Sequence, residues 1–204
     1  MTDIVITELQ SADRARWGEL WRLYLEFYET TLPPESYALA WERLMAPDGA
    51  IHGFGARRGE PDAPLIGIVH YLFHAHGWTG SEVCYLQDLF VDGARRGEGC
   101  GRALIERVAA AARTSGCARL YWTTKEDNHR ARRLYDHIAR FNGFIRYDSR
   151  SAEFGALPSA YLAMRREQSV ENRVTTDKFA LWQSRCRAAP RRLCCIVIVQ
   201  RGHN

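Results

Sequence analysis

Hydrophobic and polar residues along this chain follow two periods, and the changes of period mark its predicted elements. Apolar residues recur at helical spacing over 12–28 and 37–45, on either side of Pro33-Pro34, and again after residues 100 and 129. Runs rich in β-branched and aromatic residues occupy 4–6, 51–57, 65–73, 83–91, 118–123, 144–147 and 161–164. This order predicts a mixed α/β domain over residues 1–166, followed by a separate tail over 167–204.

A glycine loop follows the β-run at 83–91. That run ends in the apolar residues LFV, and the sequence RGEGCG (96–101) stands just before a helical pattern. Glycines lack a Cβ atom, so backbone N–H groups there can approach a ligand closely. The unpaired amides of a helix start add a positive dipole end at the same point. The loop therefore predicts a phosphate-bearing ligand.

Two familiar phosphate loops do not fit this sequence. A Walker loop carries Lys and then Ser or Thr after its last glycine, but Arg102-Ala103 follows here. The dinucleotide fingerprint has the spacing G-x-G-x-x-G, whereas this loop reads G-x-G-x-G. An ordinary strand-to-helix turn remains as the alternative.

A second motif, N-x-x-A-x-x-L-Y, begins at Asn128, 32 residues after Arg96. Asn128 and Tyr135 are two helical turns apart, so they point to the same side of a helix. An amide and a phenol on that side suit one shared ligand. Two structural alternatives stay open, a helix N-cap for Asn128 and a core position for Tyr135.

Together the two motifs resemble the GNAT family of N-acetyltransferases. The aromatic pattern of residues 17–28 and the sequence YLQDLFV are similar to a subgroup that includes yeast histone and polyamine acetyltransferases. The resemblance implies the GNAT fold, a mixed sheet with flanking helices. It also implies acetyl-CoA as the acetyl donor, no metal, and direct transfer to a primary amine within a ternary complex.

Residue by residue, the resemblance implies the following cofactor contacts. They are Leu89, Phe90, Val91, Arg96, Gly97, Glu98, Gly99, Cys100, Gly101, Arg102, Asn128, Ala131 and Tyr135. Asn128 then binds the pantetheine arm, and Tyr135 lies beside the thioester sulfur, where it is the candidate general acid. Gln87 replaces the glutamate base of the related polyamine enzymes and cannot accept a proton. Asp88 is the candidate base, and Glu82, His70, His74 and His76 stay open as alternatives. A structural acceptor role for Asp88 also stays open.

The acceptor is predicted from aromatic and acidic residues. Tyr24, Phe27 and Tyr28, with Glu82, suit a small cationic amine. A protein or histone lysine suits them equally, so both acceptors stay open. A non-catalytic acyl-CoA-binding module is a further alternative. Relatives of this kind are often dimers, which makes a homodimer possible.

Charge and cysteine content narrow the function classes. The net charge is +4, but residues 167–204 carry seven basic and three acidic side chains, which leaves 1–166 neutral. A neutral domain has no electrostatic footprint for nucleic acid. No run of 18 apolar residues predicts a membrane span and no export signal begins the chain, so a cytoplasmic location with reduced thiols is expected. The six cysteines form no C-x-x-C pair that would support a zinc site.

Overall fold

The computed structural model describes residues 3–148 of the 204-residue chain. The chain divides into two compact units, Met1–Asn142 and Gly143–Asn204, and every helix and strand of the described residues lies in the first. The predicted domain boundary at residue 166, the predicted strand at 161–164 and the tail fall outside the described residues.

Within residues 3–148, five strands form one sheet in the order in which they occur along the chain. They are β1 (Ile4–Glu8), β2 (His52–Arg58), β3 (Gly67–His74), β4 (Val83–Val91) and β5 (Leu120–Tyr121). Neighbours from β1 to β4 are antiparallel, whereas β5 runs parallel to β4. The predicted mixed sheet is confirmed, although β5 is shorter than the predicted run at 118–123.

Four α-helices in the described part of the chain flank this sheet. They are α1 (Arg14–Phe27), α2 (Pro34–Met45), α3 (Cys100–Thr114) and α4 (His129–Ile138). Pro34 occupies the first turn of α2, where its missing N–H is not needed, so the predicted break between α1 and α2 is confirmed. α2 begins three residues earlier than predicted, because a proline that ends one helix is also suited to begin the next.

Two apolar clusters cover opposite faces of the sheet. Leu104, Ile105 and Val108 of α3 pack on one face with Val69 and Leu86, and α4 adds partly buried side chains there. On the other face, Trp17 and Leu20 of α1 and Trp41 of α2 pack against Ile68 and Phe90. The helical periodicity of each segment accounts for this burial, since each helix turns its apolar side to the sheet.

An irregularity in β4 changes which side chains face which cluster. His70 pairs with Asp88 and Tyr71 pairs with Leu86, so Gln87 is an extra residue in the β4 ladder. The alternation of β4 is reversed at this β-bulge, and Asp88 comes to the α1 face although Leu86 lies on the α3 face. β4 pairs with β5 only through Cys84 and Tyr85, which leaves the later β4 edge without a ladder partner among the described strands.

Two arginines make the polar contacts that hold α1 and its N-cap residue Asp13 against the sheet. Arg57 of β2 donates both to Asp13 Oδ1 and to Asp13 Oδ2, at 2.8 and 2.7 Å, in a buried ion pair. Arg16 donates to the Leu65 carbonyl at 3.0 Å and pairs with Asp92, just beyond β4. These contacts fix α1 across the carboxyl end of β4, where the site is built.

The predicted strand at 144–147 is wrong. These residues adopt no strand, and the side chains of Ile145 and Tyr147 are 70% and 85% exposed. Apolar and aromatic residues favour a strand only where a sheet buries them, and the local sequence alone does not supply that burial. Among residues 3–148, no helix combines the length and apolar character that crossing a membrane requires.

Candidate active site

A cavity of about 500 Å³ opens at the carboxyl end of β4, within the size range of small-molecule sites. Side chains and backbone from α1, β4, the glycine loop, α3 and α4 form its wall. The residues that line it are Tyr24, Phe27, Tyr28, Leu89, Phe90, Val91, Arg95, Arg96, Gly97, Gly99, Cys100, Gly101, Arg102, Asn128, Arg130, Ala131, Arg133, Leu134 and Tyr135. The structure thus brings both sequence motifs and the α1 aromatics to one place.

Three of the predicted site residues lie outside this wall. Glu98 belongs to the loop, but its carboxylate points to Arg95 at 3.8 Å and does not line the cavity. Glu82 is exposed and precedes β4, so it lies at the opposite end of that strand from Leu89. Asp88 is buried behind the wall.

The glycine loop adopts a backbone that requires glycine at two positions. Gly97 has φ +94° and Gly99 has φ +87°, both in the left-handed region that side chains disfavour. Gly99 is the N-cap of α3, and its carbonyl accepts the first helical hydrogen bond from Ala103 at 3.0 Å. The first N–H groups of α3 have no partner within the helix, and the residues that carry them, Cys100 to Arg102, line the cavity.

Every charged side chain of this cavity wall is an arginine. Arg95, Arg96 and Arg102 come from the loop and α3, and Arg130 and Arg133 come from one face of α4. The Arg96 guanidinium lies 5.6 Å from the Phe90 ring centroid and donates to the Val91 carbonyl at 3.2 Å. The wall therefore suits a ligand that carries several negative charges.

Sequence reasoning missed Arg95, Arg130, Arg133 and Leu134. A signal for the two α4 arginines was available, because they lie one turn apart and flank Ala131 of the second motif. A helix that turns its motif to a ligand turns these neighbours towards it as well.

Tyr135 lines the cavity from α4. Its ring contacts Trp122 edge-on, with centroids 5.3 Å apart. Burial, and secondarily Tyr28, raise the pKa of Tyr135 to about 12. The phenol is therefore fully protonated near neutral pH and able to donate a hydrogen bond.

Asn128 also lines the cavity, and it serves as the N-cap of α4. Its Oδ1 accepts from the Ala131 N–H at 3.3 Å, and its Nδ2 donates to Thr124 Oγ1 at 3.0 Å. The capping alternative of the sequence analysis is thus confirmed. A carbonyl oxygen has two lone pairs, so the cap leaves one acceptor position for a ligand.

Aromatic side chains at the end of α1 form a second part of the cavity wall. Tyr28 makes edge contacts with Tyr24 and Phe27, at centroid distances of 5.1 and 5.0 Å, and Tyr24 also contacts Phe90. Burial raises the pKa of the Tyr28 phenol, and Lys125 lies 5.4 Å from the centre of its ring. This part of the wall is apolar and carries phenol oxygens.

The cysteines near the site are not activated as nucleophiles. Burial, and secondarily Glu98, raise the pKa of Cys100 to about 12, and burial with the neighbouring Cys117 does the same for Cys84. The thiolate is the reactive form of cysteine, and a raised pKa removes it at neutral pH. Within residues 3–148, no group of three or more His, Cys, Asp or Glu side chains is arranged to hold a metal ion.

Fold and site together define an acyltransferase of the GNAT type, and comparison with known proteins shows the same. The chain belongs to the Acetyltransferase (GNAT) family, which matches residues 17–141, and it is an N-acetyltransferase. The D-amino-acid N-acetyltransferase HPA3 of Saccharomyces cerevisiae is 36% identical over 139 residues, which cover 67% of this chain and 84% of that protein. The thialysine N-epsilon-acetyltransferase of Bos taurus is 30% identical over 149 residues, covering 66% and 82%.

Solved structures show the same fold at lower identity. A ribosomal-protein-alanine N-acetyltransferase from Brucella melitensis superimposes with a TM-score of 0.61 at 24% identity, over 73% of this chain and all of that one. The aminoglycoside acetyltransferase AAC(6')-Iy, solved with a bisubstrate analog of CoA, gives a TM-score of 0.61 at 19% identity, over 73% and 99%.

Proposed function

We propose that the protein transfers the acetyl group of acetyl-CoA directly to a primary amine of a small molecule, within a ternary complex. The observation that carries this proposal is a single cavity whose wall has an arginine part and an aromatic part. The first offers the start of α3 and guanidinium groups, the second offers aromatic rings, and Tyr135 lines the same cavity.

The arginine part of the cavity wall suits the phosphates of acetyl-CoA. Its N–H donors at the start of α3 provide directional hydrogen bonds, and the guanidinium groups provide charge. The edge of β4 at Leu89 to Val91 has no ladder partner among the strands of residues 3–148, so it offers backbone groups to the amide-containing pantetheine arm, as an added strand would use them. We assign Asn128 to the same arm, through the acceptor position that its cap leaves open.

Direct transfer fits the state of the thiols. An acyl-enzyme route needs an activated nucleophile, and burial holds both Cys84 and Cys100 in the neutral form. The amine therefore attacks the thioester carbonyl itself. We assign Tyr135 to the leaving sulfur, to which its hydroxyl donates a hydrogen bond while the C–S bond breaks.

The acceptor must lose a proton before it attacks. A lysine-like ammonium has a pKa of about 10.4, so forming the neutral amine at pH 7 costs about 4–5 kcal/mol. Desolvation by the rings of Tyr24, Phe27 and Tyr28 lowers that cost, because burial disfavours the charged form of an amine. The names of the two relatives favour a small amine over a protein lysine.

The test is release of free CoA thiol from acetyl-CoA across a panel of amines. The panel contains D- and L-forms of the same amino acids, thialysine, spermidine and a basic histone-tail peptide. We expect turnover with at least one small amine and a lower kcat/KM with the peptide. Preference for the peptide would instead support the protein-lysine alternative, and acetyl-CoA binding without thiol release from any amine would support the non-catalytic module.

A further inference from the structure

Lys125 lies at the edge of the cavity, beside two residues of its wall. Its ammonium is 5.4 Å from the centre of the Tyr28 ring, and its backbone carbonyl accepts from the Asn128 N–H at 3.1 Å. Tyr28 lines the cavity from the end of α1, and Asn128 lines it from the start of α4. The contact with the ring holds a positive charge against the aromatic part of the wall.

The ammonium of Lys125 is not used by the protein itself. It forms no ion pair with a carboxylate of residues 3–148. The two acids that follow it, Glu126 and Asp127, are exposed, and neither lines the cavity. A lysine carries three N–H donors on a flexible four-carbon stem, so this one can turn towards a ligand above the Tyr28 ring. The charge is therefore free to bind an anionic group.

No acidic side chain of the described residues lines the cavity, so a polycationic acceptor finds no partner there. Asp88 is only 7% exposed, and its Oδ2 lies 2.8 Å from His70 Nδ1 behind the wall. Glu29 is exposed and outside the wall, and Glu82 lies at the far end of β4. A polyamine would instead meet five arginines and Lys125. The phosphates of acetyl-CoA would pair with the arginine part, which leaves Lys125 for the acceptor.

We propose that Lys125 determines acceptor specificity by binding a carboxylate of the acceptor, so that the protein selects amino-acid-like amines over polyamines. This inference rests on the proposed function for the acceptor amine and adds the second group that the acceptor carries. The ammonium donates charge-assisted hydrogen bonds to the carboxylate oxygens, while the aromatic part of the wall contacts the carbon skeleton. The same charge repels an ammonium group at that position, which discriminates against spermidine.

The primary test uses pairs of amines that differ only in this group. Thialysine and a D-amino acid are each assayed beside the corresponding carboxamide, which keeps the shape and removes the negative charge. The measured quantity is the ratio of kcat/KM for the acid to kcat/KM for the carboxamide. Intrinsic differences between the two amines cancel when this ratio is compared between protein variants.

Lys125→Gln removes the charge of an exposed side chain. We expect it to lower the acid-to-carboxamide ratio by about threefold to tenfold. The loss should come from KM for the acid, with kcat within threefold, because the carboxylate contact is the same before and during acetyl transfer. Lys125→Glu should lower the ratio further and raise kcat/KM for spermidine.

Arg113→Gln is the matched control. It also removes one positive charge from an exposed side chain, but Arg113 lies near the end of α3, about 20 Å along the helix from the residues that line the cavity. It should leave the ratio within twofold. KM for acetyl-CoA should stay within twofold in Lys125→Gln. A rise in that KM with an unchanged ratio would assign Lys125 to the cofactor and overturn the inference.

Calorimetry of each acid and its carboxamide on the CoA-bound protein separates this inference from the proposed function. Absence of thiol release from every amine contradicts the proposed function. Tighter binding of the acid than of the carboxamide, lost in Lys125→Gln, would still support the role of Lys125. Turnover with the same ratio in Lys125→Gln and the wild type overturns the inference alone. So does a wild-type preference for spermidine over both acids, or failure of the wild type to bind or acetylate either acid.

Discussion

Replacing Tyr135 by Phe is the sharpest test of the reaction step. The substitution keeps the ring and its edge contact with Trp122, and removes only the hydroxyl of a residue that lines the cavity. If that hydroxyl donates to the leaving sulfur, its loss should slow the chemical step. It should leave binding of acetyl-CoA nearly unchanged, because the other contacts of the cofactor remain.

The structure sets the size of the effect. A leaving thiol has a pKa of about 8.5, whereas the pKa of Tyr135 is raised to about 12. Complete proton transfer from Tyr135 to the thiolate is thus uphill by about 3.5 pKa units, or about 5 kcal/mol. Donation of a hydrogen bond to the developing charge avoids this cost, and such a bond contributes about 1.5–3 kcal/mol. We therefore expect kcat to fall by a factor of about 10 to 150.

The assay is single-turnover acetyl transfer with saturating amine, which isolates the chemical step from product release. Acetyl-CoA affinity is measured separately by calorimetry. Tyr121→Phe is the control, because it removes a phenol hydroxyl that lies 2.9 Å from His74 Nε2 on a residue that does not line the cavity. A Tyr135→Phe variant that transfers acetyl at the parental rate would refute the assignment of this hydroxyl to the sulfur. A loss confined to acetyl-CoA affinity would refute it too, and would make Tyr135 a binding residue.

Three further predictions concern the cofactor end and the fold. Gly99→Ala should lower the free energy of unfolding by about 1–2 kcal/mol and weaken acetyl-CoA binding, because φ +87° is strained for alanine. Chemical denaturation measures this change. Gly93→Ala is the control, because a Cβ atom there meets open space and the residue has no positive φ. Arg130→Gln and Arg133→Gln should each raise KM for acetyl-CoA by about twofold to fivefold, less at high salt, and an effect that salt does not reduce would contradict a charge contact. Burial raises the pKa of Tyr71 to about 12, so its contribution to stability is complete below about pH 10 and is lost as the pH rises towards 12; Tyr71→Phe should flatten that decline in alkaline denaturation curves.

The sequence was sufficient for features that depend on local chemistry. The glycines at 97 and 99, the cap at Asn128 and the helical faces that cover the sheet were all readable, because each follows from a residue's own conformational or hydrogen-bonding preference. The two motifs also meet in one cavity as the resemblance implied. The strand predicted at 144–147 failed for the opposite reason, since a strand depends on what packs beside it.

Placement of the acidic residues required the structure. Strict alternation along β4 would put Glu82, Cys84, Leu86 and Asp88 on one face, as the period of a regular strand demands. The extra residue at Gln87 breaks that period, and glutamine has no local conformational preference that would predict a bulge. Asp88 consequently lies against α1 with His70, while Glu82 remains at the far end of the strand.

One inserted residue in β4, Gln87, thus affects the placement of every side chain that follows it in the strand. Beyond the bulge, Leu89 and Val91 face the cluster under α3, and Asp88 and Phe90 face α1. The same residue lies two positions after the last β4–β5 pair, and beyond it this edge of β4 has no ladder partner among the described strands. A regular β4 would turn the Asp88 carboxylate into the apolar α3 cluster, where an unpaired charge is not tolerated. The bulge therefore places this carboxylate against α1, immediately before the strand edge that we propose for the acetyl donor.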